Sequence, residues 1–126
     1  MKKIQTLDAP QAIGPYSQGQ IVGDLHFFSG QIPLDPQTGE MVGETITAQT
    51  DQVMKNIKAL LASCGGSYND IVKATIFTTD LSQFTALNEA YAAALGDVRP
   101  ARSCVEVAAL PKKALVEIEI IAEIKK

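Results

Sequence analysis

Histidine occurs once in this sequence, at His26, tryptophan is absent, and cysteine occurs only as Cys64 and Cys104. One histidine excludes acid–base chemistry shared between two histidines of the same chain. Two widely separated cysteines form neither a CxxC pair nor a zinc ligand set. A disulfide between them is unneeded in a chain with 46% hydrophobic residues, and a reducing compartment would open it. No glycine-rich phosphate loop of the GxGxxG or P-loop type occurs. Redox-metal chemistry, dinucleotide binding and P-loop hydrolysis therefore drop out, and no cofactor or metal is expected. No apolar run approaches the ~18 residues of a membrane span. Met1, Lys2, Lys3 and Ile4 are followed at once by Gln5, Thr6 and Asp8, which leaves no room for the apolar stretch of a signal peptide. A cytoplasmic protein without a membrane partner is the expectation. Positive charge is also scarce: 11 Lys and Arg against 14 Asp and Glu give a net charge of −3, with 6% aromatics. That balance counts against a nucleic-acid partner.

What is present suits one globular domain over residues 1–126. Ile4–Leu7, Gln18–Val22 and Leu25–Gln31 read as strands. Gly23-Asp24 joins the latter two as a hairpin, because glycine tolerates positive φ. Pairing Val22 with Leu25 places Gln18 opposite Ser29 and gathers Tyr16 and Ser29 at the open end; a bulge at Gly30 would shift the register. Residues 32–44, rich in Pro, Asp and Gly, read as a long loop. Val53, Ile57, Leu60, Leu61 and Cys64 recur with helical spacing and predict a helix over Thr47–Cys64, capped by Thr45 or Thr47 and stopped by Gly65-Gly66. A strand follows over Ile71–Thr79, with Val72, Ala74 and Ile76 on one side. A second helix capped by Asp80 or Ser82 ends at Leu95-Gly96, with Phe84, Leu87, Tyr91 and Leu95 as its stripe and Asn88 at the edge. Ala101–Val107 and Ala114–Ile124 complete the strands. In the last, Val116, Ile118, Ile120, Ala122 and Ile124 form one aliphatic face, and Leu115, Glu117, Glu119, Ile121 and Glu123 form the other. The fold class is α+β: a mixed sheet with two helices on its aliphatic face. The second face, half apolar and half acidic, is suited to contact with other subunits.

Four constellations stand out. Arg102 and Glu117 lie on strands; a guanidinium fork suits a carboxylate ligand, and a glutamate can move protons or orient water. The plain alternative is a strand-to-strand ion pair of Arg102 with Glu117, Glu119 or Glu106. Cys104 shares a face with Arg102, but no histidine lies near it in sequence, so a small packing residue is the better reading. Tyr16, held by a Gly14-Pro15 turn, and Ser29 gather near Gly30, where turn chemistry is the alternative. His26 reads as a cross-strand packing residue.

Gly14–Gln18, Ser29–Pro33, Asp35–Gly39, Pro100–Val107, and Leu110-Pro111 followed by Val116–Glu119 occur in that order. As a set they resemble the RidA (YjgF) family of enamine/imine deaminases over nearly the whole chain. The resemblance implies a chorismate-mutase-like fold and a homotrimer whose sheets face a central barrel, with clefts between neighbouring subunits. It implies hydrolysis of 2-imino acids to 2-keto acids and ammonia without a cofactor. Carried onto this chain, Arg102 grips the substrate carboxylate and Glu117 handles water and protons. Cys104 contributes chiefly its backbone, Tyr16, Ser29 and Gly30 line the cleft, and Asn88 supports it. Gly19, Arg99 and Ala94-Leu95 depart from the family pattern. Two rival readings are a keto-acid-binding regulator using the same Arg102, and an endoribonuclease or translation inhibitor, against which the charge balance argues.

Overall fold

A computed structural model describes residues 1–125. The elements in order are β1 (Lys2–Ile4), β2 (Gly19–Val22), β3 (Leu25–Phe28), α1 (Ile46–Ser63), β4 (Ile71–Thr78), α2 (Phe84–Leu95), β5 (Ala101–Glu106) and β6 (Val116–Glu123). They form one six-stranded sheet in the order β1-β2-β3-β6-β4-β5. The β4–β5 pair is parallel, joined by α2, and the other pairs are antiparallel.

Both helices pack on one face of the sheet. The Thr45 side chain caps α1 by accepting from Ala48 N at 3.1 Å. The stripe read from the sequence is the buried one: Val53, Ile57, Leu60 and Leu61 meet Ala74, Ile76, Val116, Ile118 and Ala122. Each large aliphatic side chain so buried contributes about 1.5–3 kcal/mol. Asp80 caps a 3₁₀ turn over Leu81–Gln83 that leads into α2, and α2 buries Leu87, Tyr91 and Leu95.

The other face carries no helix. Phe27 is paired with Ile121, and Phe77 with both Glu117 and Val105. Phe27 and Val105 stay 41% and 43% exposed there, so large apolar side chains alternate with carboxylates on an open surface, as expected.

Three expectations are corrected. The first strand ends at Ile4 rather than starting there, because the buried Gln18 side chain takes over the backbone of Thr6. It accepts from Thr6 N at 2.7 Å and donates to Thr6 O at 3.0 Å, and Leu7 is left exposed. Val72 is exposed and Ile71 is buried instead, because a register shift between Ile71 and Lys73 breaks the alternation of β4. Strand β3 ends at Phe28, and the chain rejoins β6 through a single bridge from Gln31 to Ile118. Phe27 pairs with Ile121 and Gln31 with Ile118, so residues 28–30 oppose only residues 119–120. That one extra residue is a bulge beside Gly30.

Buried amides hold the long loop and the chain ends. Asn56 Nδ2 on α1 donates to Leu34 O at 2.9 Å. Gln49 Oε1 accepts from Leu115 N at 2.8 Å, and its Nε2 donates to Gly43 O. Gly19 sits where a Cβ would lie 2.8 Å from both Ile4 Cδ1 and the Phe27 carbonyl, so the packing of β2 between β1 and β3 demands glycine.

Candidate active site

The residues singled out from the sequence fall into two groups, and one chain does not bring the groups together. Arg102 pairs with Ala74, which pairs with Ile120, a buried residue of the helix-covered face. Glu117 pairs with Phe77 on the open face. Side chains alternate along strands, so Arg102 and Glu117 project from opposite faces of the same sheet.

The first group surrounds Arg102 at the sheet edge. Its Nη1 donates to Asn88 Oδ1 at 2.6 Å. The guanidinium carbon lies 5.5 Å from the centre of the Phe84 ring and 5.4 Å from that of Tyr91. Phe84, Asn88 and Tyr91 are spaced i, i+4, i+7 on α2, so one helix stripe stacks the fork and accepts from it. Ion pairing with Glu117, Glu119 or Glu106 is not what holds it: among the described residues Arg102 meets Asn88, and Glu106 Oε1 accepts from Leu81 N at 2.8 Å. The remaining guanidinium donors stay open at an exposed edge. Cys104 pairs with the buried Ile76 and is half-buried. Burial pushes its thiol pKa up, with Arg102 pulling weakly the other way, which favours the protonated, poorly nucleophilic form.

The second group lies at the bulge. Glu117 is half-buried, and loss of hydration raises its carboxyl pKa, helped by the neighbouring Glu119 charge. Gly30 lies against it: a Cβ at position 30 would stand 2.5 Å from Glu117 Oε2. Tyr16, its amide turned onto Gly14 O, lines a cavity of about 200 Å³ with Gly30, Gln31 and Lys112. The Ser29 hydroxyl is already engaged, donating to Ser17 O at 2.6 Å. It ties Tyr16's turn to the bulge.

Phe84 and Tyr91 were legible in the sequence only as core stripe. The signal that marks them is their spacing around Asn88, an amide that needs a partner at the edge of an apolar stripe. Among the described residues no cluster of three or more His, Cys, Asp or Glu side chains could hold a metal, and no helix is long and apolar enough to cross a membrane.

Comparison with known proteins identifies the family and the fold. The family described as Endoribonuclease L-PSP matches residues 6–124. The 2-iminobutanoate/2-iminopropanoate deaminase of Salmonella typhimurium is 48% identical over 124 residues, 96% of each chain. The chain belongs to the RidA/YjgF family. A Lactococcus lactis protein named as a regulator, AldR, is 51% identical over 125 residues, 99% of each chain. RidA relatives thus carry several activity names on one fold. The crystal structure of Escherichia coli TdcF with bound serine superposes with a TM-score of 0.93, at 45% identity and 98% coverage of each chain.

Proposed function

We propose that this RidA-family chain is an enamine/imine deaminase that hydrolyses small 2-imino acids, such as 2-iminopropanoate and 2-iminobutanoate, to 2-keto acids and ammonia. Its site is built by two copies of the chain, Arg102 with Asn88 and Cys104 from one and Glu117 with Gly30, Ser29 and Tyr16 from the next. The observation that carries this reading is the placement of Arg102 and Glu117 on opposite faces of one sheet. A closed ring of three chains, open sheet faces inward as a barrel, covers Phe27, Phe77, Val105 and Ile121 and sets each edge strand β5 against a neighbour's bulge. Structures of relatives cover the fold, and one of them holds serine, which carries the same α-carboxylate.

In this reading the free donors of Arg102 grip the substrate carboxylate, at roughly 1.5–3 kcal/mol per charge-assisted bond. That fixes C2 of the imine beside Glu117. Glu117, its pKa raised by burial, takes a proton from the attacking water and returns one to nitrogen. Water oxygen bonds to C2, the C–N bond of the carbinolamine breaks, and ammonia leaves with the keto acid behind. An imine is already electrophilic, so acid–base help of about 10²–10⁴-fold is enough, and no covalent intermediate or cofactor enters. The substrates are those released by enzymes that eliminate from serine or threonine in the cytoplasm.

A coupled assay tests this. An amino-acid oxidase supplies fresh imine, and its decay is followed with and without the protein. Acceleration by the wild type, lost in Arg102→Ala while the assembly persists, is the expected result. Full acceleration by Arg102→Ala contradicts the assigned grip. The 51% identity to a named regulator keeps a keto-acid-binding role in view: pyruvate binding without any acceleration of imine decay establishes that reading instead. The endoribonuclease description of the family is not favoured by the net charge of −3; no nucleic-acid partner is proposed.

A further inference from the structure

At the sheet edge opposite Arg102, β1 and β2 meet the end of α1 around a second cavity, of about 400 Å³. Its charged lining residues are Lys2, Lys3 and Lys125, and among the described residues no carboxylate lines it. His26 forms part of the wall and is 4% exposed. Its Nδ1 lies 2.9 Å from Asp24 O. A carbonyl only accepts, so Nδ1 carries the hydrogen. Nε2 makes no hydrogen bond among the described residues. This imidazole nitrogen is not enclosed in the interior: it is open to a cavity lined by three lysines, where an anion can meet it.

The end of α1 does not oppose an anion here. Three of its last four carbonyls are taken: Leu60 O by Ser63 Oγ, Leu61 O by the amides of Cys64 and Gly66, and Ala62 O by the Gly65 amide. The negative end of the helix dipole is thereby largely spent within the chain. The apolar part of the wall comes from Ile4, Ile21 and Ile124.

We infer that this cavity is an anion-binding site, distinct from the Arg102 site, that takes a phosphate group between Lys3, Lys125 and His26 Nε2. The phosphate comes either as the free ion or on a small organic body resting against the isoleucines. Bound there, the anion accepts from the ammonium groups and from a proton taken up on Nε2.

His26 is the sole histidine, so its ring nitrogens give one unambiguous pair of NMR signals. Inorganic phosphate and phenyl phosphate are titrated into the full-length protein while the ¹⁵N shift of Nε2 is followed. A saturable shift toward the protonated value is expected, weakened about tenfold or more by Lys3→Glu with Lys125→Glu and unchanged by Arg102→Ala. Tighter binding of phenyl phosphate assigns an organic phosphate, and equal binding assigns the free ion. No saturable shift, an unaltered shift in the double lysine variant, or loss of the shift in Arg102→Ala overturns the site.

Discussion

Gly30 has no side chain because Glu117 occupies the space where one would stand, with Oε2 only 2.5 Å from the position of a Cβ. The bulge between β3 and β6 delivers the backbone of residue 30 directly onto the carboxyl group, half-buries it, and so raises its pKa. One backbone irregularity thus sets both the position and the protonation behaviour of the proposed acid–base residue.

Gly30→Ala is therefore expected to push Glu117 aside. Imine hydrolysis falls by about 10²-fold or more, while thermal stability changes far less than activity. Unchanged turnover in a folded Gly30→Ala protein would show that Glu117 tolerates displacement and is not the acid–base group.

Removing the Glu117 charge tests the same carboxyl through stability. Its pKa in the folded chain is raised, so the folded state holds the proton more tightly than the unfolded state. Stability then falls as pH rises from the ordinary glutamate range through the raised value, and the penalty is complete above it. Glu117→Gln is expected to melt higher than the wild type at pH 7, with the difference closing below about pH 4, while imine hydrolysis is lost. Melting curves at the two pH values decide; an advantage that persists undiminished in acid contradicts the assignment.

Tyr91 separates the ring from the hydroxyl. The ring stacks on Arg102, but the hydroxyl is buried and has no partner among the described residues. Tyr91→Phe keeps the stack and removes an unsatisfied oxygen, so it is expected to stabilise the fold by about 1 kcal/mol and leave KM unchanged. Tyr91→Leu removes half of the stack and raises KM a few-fold. Equal KM values for both variants would mean that the ring does not hold the guanidinium.

Cys104→Ser addresses the nucleophile reading. The thiol is kept protonated by burial and is assigned no covalent step, so the variant is expected to retain imine hydrolysis within about tenfold of wild type. A folded, inactive Cys104→Ser protein would restore a covalent mechanism.

Much of this architecture is legible in the sequence, and the physical reasons for the rest are specific. The helical period of Val53, Ile57, Leu60 and Leu61 and the alternation from Val116 to Ile124 survive folding because each pattern matches one buried face. The same alternation assigns Glu117 to the open face without any structure. Arg102 is different. Which helix lies over β5 is a tertiary fact, so its stack between Phe84 and Tyr91 and its bond to Asn88 cannot be read from β5 itself. Val72 and Leu7 escape prediction because a register shift and a side-chain amide, Gln18, interrupt otherwise regular strand patterns. Asn56 and Gln49 look like ordinary polar positions on α1 until the loop they hold is in place.

The central claim is that Arg102 and Glu117 act across a boundary between two copies of the chain. Co-expression of Arg102→Ala with Glu117→Gln tests it most directly, with each variant inactive alone. Random mixing in a three-membered ring pairs an intact Arg102 with a neighbour's intact Glu117 at about a quarter of the sites, so imine hydrolysis should return to about that fraction of wild type. Mixed assemblies that form but stay inactive would contradict the shared site.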